Sequence, residues 1–150
     1  MDYVLDTNIW VHIIRNTPYV LTVLEEKEIF SSENSIFMSI VTAGELYTLA
    51  ARNNWGERKL KDLEEIIEEI QVVPISRMDL VKKYSEIDVF SQGFHATFPL
   101  PNSLSARNMG KNDLWIAATS LLLDATLVTM DNDFNHLSPF FISIEKINQP

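Results

Sequence analysis

The sequence predicts one α/β domain, residues 1–150, in which a mainly parallel sheet is covered by helices on both faces. Short apolar segments alternate with helical ones along the chain, and this alternation is typical of parallel strands joined by helices. The chain has 150 residues, of which 46% are hydrophobic and none is cysteine. This composition is ordinary for a folded domain. It excludes a disordered chain, a disulfide scaffold and a cysteine-ligated metal site.

Five elements are predicted in the first part of the chain. Tyr3–Leu5 is a short apolar strand that stops at Asp6, and Asp6 is a good N-cap residue for a following helix. Pro18 suits the first turn of a second helix. In order, the predicted elements are strand 3–5, helix 6–16, helix 18–27, strand 35–40 and helix 41–54.

The second part of the chain contains three more predicted helices and three strands. Apolar residues recur at helical spacing from Glu57 to Gln71, with acids and lysines on the opposite face. The helix that begins at Asp113 is apolar on nearly every side, which is typical of a buried central helix. In order, these elements are helix 57–71, strand 72–75, helix 78–91, helix 113–123, strand 126–130 and strand 140–144.

The segment 91–112 differs from the rest of the chain because it has no helical or strand period. It carries two glycines, two prolines and several aromatic residues. Long irregular segments of compact domains are usually functional or disordered, and the aromatic residues argue against disorder. The segment leads directly into Asp113, so it is expected to line a groove, to contact a partner or to pack as a surface loop.

The charge of the chain restricts its partners and its location. A formal net charge of −9 argues against broad electrostatic binding to nucleic acid. It does not exclude a nuclease, because divalent cations reverse the local charge where acids converge. The N-terminus lacks the basic region of a secretory signal, and no apolar run reaches the length of roughly 18–20 residues of a membrane span. We therefore expect a cytoplasmic protein without membrane association.

Four acids are predicted to meet at one edge of the sheet. Asp6 and Asp131 directly follow apolar strands, and ligands bind beyond the carboxyl ends of the strands in open parallel sheets. Asp113 starts the helix whose far end leads into the strand before Asp131, and a right-handed crossover returns it to the same edge. Glu45 lies on the helix after the second strand and is expected to point inward.

Clustered carboxylates are the chemistry of a divalent metal site. Carboxylate oxygens suit Mg²⁺ or Mn²⁺, and three or four of them repel one another unless a cation lies between them. A pair of such ions can activate water and stabilise the leaving oxygen of a phosphodiester. Supporting hydroxyls and amides are available nearby, in Thr7, Thr129, Asn8 and Asn112. Helix caps and turns remain an alternative use of each of these residues.

Four segments carry a resemblance that covers essentially the whole chain. They are VLDTNI at 4–9, SIVTAGEL at 39–46, NDLWIAA at 112–118 and LVTMDNDF at 127–134. In this order they resemble the motifs of the PIN-domain family, and most closely those of the VapC-type ribonuclease toxins of toxin–antitoxin systems. The resemblance implies a three-layer α/β/α fold and a Mg²⁺- or Mn²⁺-dependent endoribonuclease.

The resemblance also implies roles for individual residues. Asp6, Glu45 and Asp113 match the core metal-binding acids, and Asp131 matches the fourth, with Asp133 as the second choice. Thr7 and Thr129 stand where family members place supporting hydroxyls. Independently of the resemblance, Arg107 and Lys111 are the best candidates for RNA contact, because they lie shortly before Asp113 in the sequence.

Partners follow from the resemblance as well. Family members commonly form homodimers and are held inactive by a cognate antitoxin, which often inserts a basic residue into the acidic pocket. The segment 91–112 looks longer than the corresponding connection of compact family members. Because family substrates vary, the resemblance does not specify which RNA is cut.

Two other functions remain alternatives. A PIN-like module that has lost catalysis would use the same acids to hold a metal or an antitoxin. A phosphoacceptor domain similar to response-regulator receivers would also combine an α/β sheet, acids and Mg²⁺. Such receivers need paired acids after the first strand, whereas Asp6 is followed by Thr7 and Asn8.

Overall fold

A five-stranded parallel sheet forms the centre of the protein, for which the computed structural model describes residues 1–150. The strand order is β3-β2-β1-β4-β5, and all four neighbouring pairs are parallel. The strands are β1 (Asp2–Leu5), β2 (Ser35–Ser39), β3 (Gln71–Val73), β4 (Thr126–Thr129) and β5 (Ile144–Lys146). The predicted alternation of strands and helices is confirmed.

Six α-helices cover the two faces of the sheet. They are α1 (Thr7–Ile14), α2 (Pro18–Glu26), α3 (Ile40–Arg52), α4 (Glu57–Glu69), α5 (Met78–Ser91) and α6 (Lys111–Leu123), and a 3-10 helix spans Asn132–Leu137. Helices α1 to α4 pack on one face around Trp10 and Leu46, while α5 and α6 pack on the other around Phe90 and Ile116. The arrangement is a three-layer α/β/α sandwich.

Alternation along the central strand separates the two cores. Leu5 of β1 belongs to the core beneath α1 to α4, and its neighbour Val4 belongs to the core beneath α5 and α6. Both side chains are fully buried. Successive residues of a strand point to opposite faces, so a strand that is covered on both faces is apolar throughout.

The order of the strands creates a crevice at the carboxyl ends of β1 and β4. From β1 the sheet continues through β2 on one side and through β4 on the other. Such a switch in direction is where open parallel sheets bind ligands. Leu5 pairs with Val128, and the amide of Asp6 donates a hydrogen bond to the carbonyl of Val128 over 3.0 Å. The chain therefore leaves both strands at the same level.

The last strand differs from the prediction. It comprises Ile144–Lys146, not 140–144. The aromatic residues before it pack elsewhere, since the rings of Phe140 and Phe141 lie 5.6 and 4.9 Å from the ring of Phe90 on α5. These two aromatic side chains therefore pack in the helical layer and do not form part of the sheet.

The segment between α5 and α6 contains no strand or helix, as predicted, and it is attached at several points. The amide of Arg107 donates to the carbonyl of Ser91 over 2.8 Å, and Met109 is buried. Helix α6 begins at Lys111, two residues earlier than predicted, which places Asp113 in its first turn. None of the helices combines the length and the apolar composition that a membrane span requires.

Candidate active site

A polar cleft of about 760 Å³ opens at the carboxyl ends of β1 and β4. The four acids that sequence reasoning placed at this edge all line it: Asp6, Glu45, Asp113 and Asp131. Three of the supporting residues line it as well, namely Thr7, Asn8 and Asn112. The cleft therefore joins residues from opposite ends of the chain, as the parallel topology requires.

Asp6 is the most deeply buried of these acids, with 5% of its surface exposed. One carboxylate oxygen accepts a hydrogen bond from the amide of Thr7 over 2.7 Å, and the other accepts from the hydroxyl of Thr129 over 2.8 Å. Burial raises the pKa of Asp6 to about 6, and the charges of Asp131 and Glu45 contribute, although the two hydrogen bonds oppose the rise. The site thus holds this carboxylate in place despite an unfavourable environment.

Glu45 reaches the cleft from α3 and is held by the first turn of α1. The hydroxyl of Thr7 donates to Oε1 of Glu45 over 2.8 Å, and it also lies 3.1 Å from the hydroxyl of Thr42. Glu45 is partly buried, in keeping with the expected inward orientation. Thr7 consequently contacts the cluster twice, because its amide holds Asp6 and its hydroxyl holds Glu45.

Three carboxylates crowd together on the other side of the cleft. Single oxygens of Asp113, Asp131 and Asp133 all lie within 4.8 Å of one another. Burial raises the pKa of Asp113 to about 7, and the charges of four neighbouring acids add to the effect. Both candidates for the fourth acid are therefore close to Asp113.

Thr129 connects the two groups of acids at the end of β4. Its hydroxyl donates to Asp6, accepts from the amide of Asp131 over 2.9 Å, and is completely buried. Oδ1 of Asp131 in turn accepts from the amide of Asp133 over 2.9 Å and caps the 3-10 helix. The predicted supporting hydroxyl of Thr129 thus holds the carboxylate of Asp6 and the backbone of Asp131.

The donor set fits a divalent cation. It consists of carboxylate oxygens, which are hard ligands of the kind that Mg²⁺ and Mn²⁺ prefer. The pKa values of Asp6 and Asp113 are raised first by burial and then by the charges of the neighbouring acids, so ionising these carboxylates together is unfavourable. A cation among these oxygens would offset the repulsion between their charges.

The predicted basic contacts occupy different surroundings. Arg107 is partly buried in a small groove that also includes Asp133. Lys111 is exposed at the start of α6 and does not line the acidic cleft. The structure therefore brings Arg107, but not Lys111, into a groove beside the acids.

Sequence reasoning missed two basic residues near the acids. Arg52, which the sequence alone does not single out, lines the acidic cleft. It follows Glu45 by seven residues, which is two helical turns, so the spacing alone could have placed both on one face of α3. Lys146 lies at the end of β5, and the misplaced last strand concealed its position at the same edge of the sheet.

Comparisons with known proteins identify the family. Residues 3–138 match the PIN domain. Ribonuclease VapC1 of Haemophilus influenzae strain R2866 is 28% identical over 130 residues, which are 86% of either chain. The structure resembles VapBC-1 from nontypeable Haemophilus influenzae, with a TM-score of 0.71 and 25% identity over 97% of this chain and 98% of the other. VapBC2 from Rickettsia felis, bound to a DNA fragment from its promoter, gives a TM-score of 0.73 at 23% identity and the same coverage.

Because the match to the PIN domain spans most of this chain, the chain belongs to the PIN-domain family. The predicted family and the predicted three-layer fold are confirmed.

Proposed function

We propose that this PIN-domain protein is a Mg²⁺- or Mn²⁺-dependent endoribonuclease and the toxin of a type II toxin–antitoxin pair. The observation that carries the proposal is the convergence of five carboxylates at the switch point of the sheet, in and beside one polar cleft. The relatives support it, because they include a ribonuclease named VapC1 and complexes named VapBC.

The acids would hold the cation, and neighbouring hydroxyls keep the acids in position. Asp113, Asp131 and Asp133 have oxygens close enough to share an ion, and Asp6 and Glu45 complete the negative wall. When bound, Mg²⁺ or Mn²⁺ supplies positive charge, which offsets the negative charge of the phosphodiester and activates water for attack. Hydrolysis adds that water across one P–O bond and leaves two shorter strands.

The remaining polar residues of the cleft would bind the RNA. Arg52 provides a guanidinium at the α3 side of the cleft, where it suits a phosphate of the strand. The amides of Asn8 and Asn112 face the same cleft and can donate hydrogen bonds to phosphate or sugar oxygens. Arg107, in the groove beside Asp133, would contact the strand on the far side of the acids.

The proposed partners are RNA, a cognate antitoxin and a second copy of the chain. The acidic cleft has the charge to receive a basic side chain of an antitoxin, which would compete with the cation for the same carboxylates. The complexes named VapBC support an antitoxin partner. The proposed location is the cytoplasm, where a toxin and its antitoxin would meet cellular RNA.

The test is RNA cleavage by purified, antitoxin-free protein. A mixed pool of structured RNAs is incubated with Mg²⁺ or Mn²⁺ and, in parallel, with EDTA. Wild-type protein is compared with Asp113→Asn and with the matched control Asp124→Asn, which makes the same change at the exposed far end of α6. We expect metal-dependent cutting by the wild type and by Asp124→Asn, and none by Asp113→Asn.

Other outcomes would favour a different function. If Asp113→Asn cut RNA as fast as the wild type, the acidic cleft would be excluded as the catalytic site. Binding of Mn²⁺ without cutting of any RNA in the pool would leave two explanations: a narrow substrate that the pool lacks, or a PIN-like module that binds metal or antitoxin without catalysis.

A further inference from the structure

A second polar cleft lies on the other side of Asp131, at the end of β5. Its volume is about 740 Å³, and its lining includes Asp131, Asp133, Asn8, His12 and Lys146. Asp131 and Asn8 line the acidic cleft as well, so the two clefts are contiguous. Lys146 pairs in register with Thr129, whose hydroxyl bonds the carboxylate of Asp6 and the backbone amide of Asp131. The fold thus places a lysine next to the carboxylate cluster.

The ammonium of Lys146 is buried without a hydrogen-bond partner. Its Nζ atom has less than 1 Å² of exposed surface. An ammonium carries three donors, and leaving them unmatched away from water costs free energy unless nearby charge compensates. Burial lowers the pKa of Lys146, while the charges of Asp131, Asp6 and Asp133 oppose that change. These three carboxylates stabilise the ammonium through space, without a direct contact.

We propose that Lys146 is a built-in cation of the acidic site, whose charge replaces a second divalent ion on the Asp131–Asp133 side and limits tight metal binding to one ion. This inference rests on the proposed function, since it assumes that the acids hold a divalent metal. Two cations near one pair of carboxylates repel each other, and although Asp133 is exposed, the burial of the Lys146 ammonium reduces the dielectric screening of its charge.

The burial of the ammonium favours this role over direct contact with RNA. A phosphate could reach Nζ only after the lysine side chain or its cover had moved, because the atom is closed to solvent. The electrostatic effect of the ammonium on Asp131 and Asp133 requires no such movement. Lys146 is therefore a positioning residue that acts through the metal-binding acids.

The experiment counts Mn²⁺ ions by calorimetry and by electron paramagnetic resonance, with no RNA present. The protein is compared with Lys146→Met, which keeps the length of the side chain and removes its charge, and with Lys146→Arg, which retains the charge. The control Lys82→Met makes the same charge change at an exposed position of α5 that lines neither cleft. Lys146→Gln is a second uncharged variant if the methionine variant fails to fold.

We expect the wild type, Lys146→Arg and Lys82→Met to bind one Mn²⁺ tightly. Lys146→Met is expected to bind a second ion about tenfold or more tightly than the wild type does, because it lacks the repelling charge. The second ion would appear as an exchange-coupled resonance from a pair of Mn²⁺ ions.

Two results would overturn the inference, and they differ in what they imply for the proposed function. Identical Mn²⁺ binding by the wild type and by Lys146→Met would refute the role of Lys146 and leave the nuclease intact. If that variant then bound RNA more weakly, the lysine would be assigned to the substrate instead. Absence of Mn²⁺ binding by the wild type would overturn the metal site itself, and the inference with it.

Discussion

Replacing Asp113 by asparagine is expected to stabilise the metal-free protein while it abolishes RNA cleavage. The carboxylate lies among four other acids, and its pKa is raised to about 7, first by burial and then by their charges. Asparagine resembles the protonated acid in size and carries no charge. The side chain of Asp131 caps a helix, whereas that of Asp113 lies within the first turn of α6. The substitution at Asp113 therefore removes repulsion without removing a helix cap.

The magnitude follows from the shift in pKa. A rise from 3.8 to about 7 corresponds to roughly 4 kcal/mol at about 1.4 kcal/mol per pKa unit. Because Asp113 is only partly buried, solvent screening reduces this value, and a gain of about 2 kcal/mol at about pH 8 is expected.

The sign of the pH dependence is fixed by the direction of the shift. Between about pH 4 and about pH 7 the folded protein retains a proton on Asp113 that the unfolded chain has released. The stability of the wild type therefore falls as the pH rises through this window, and the loss is complete above it. Asp113→Asn does not lose stability in this window. Its gain in the free energy of unfolding over the wild type is therefore absent near pH 4 and largest near pH 8.

The assay is urea unfolding in EDTA, followed by circular dichroism at both pH values. A gain of about 2 kcal/mol shifts the midpoint by about 1 M urea for a typical denaturant dependence. Asp2→Asn is the control, since the side chain of Asp2 is exposed and outside the cleft. If Asp113→Asn were less stable than the wild type at the higher pH, the acids would not be repelling one another as described.

Three further results are expected. Arg52→Ala should raise KM for RNA several-fold with little change in kcat, and it should flatten the dependence of binding on salt, because it removes one phosphate contact. Thr129→Val should weaken Mn²⁺ binding by about 10–100-fold in a calorimetric titration, because Asp6 and Asp131 lose their shared hydroxyl, whereas Thr126→Val at the start of β4 should not. The free protein should sediment as a dimer at micromolar concentration, and a monomer would contradict the expected self-association.

The sequence allowed the acids to be located because topology determines their positions. Asp6 directly follows β1 and Asp131 lies two residues after the end of β4, and neighbouring parallel strands end at the same edge of a sheet. The fold class was predictable for the same reason, since alternating strands and helices have few ways to bury both faces of a sheet. These inferences need only the order of the elements and not their exact bounds.

The basic residues near the acids could not be located in this way. Arg52 is exposed at the C-terminal end of α3, and only the packing of α3 at the crevice makes that end of the helix a wall of the cleft. The position of Lys146 could be predicted only with the correct bounds of the last strand. The sequence favoured a strand at 140–144, where aromatic residues are frequent, but tertiary packing of Phe140 and Phe141 against α5 overrides that preference.

The structural and catalytic interpretations of the acids describe one arrangement. Asp6 caps α1, as the alternative interpretation of this residue has it, and Asp131, whose alternative is a turn, caps the 3-10 helix. Each cap uses a backbone amide to fix one carboxylate oxygen, and fixing that oxygen sets the direction of the other. A carboxylate held in this way cannot turn away from its neighbours when it ionises, so the repulsion persists until a cation arrives. The caps are therefore the means by which local structure prepares the acids to bind metal.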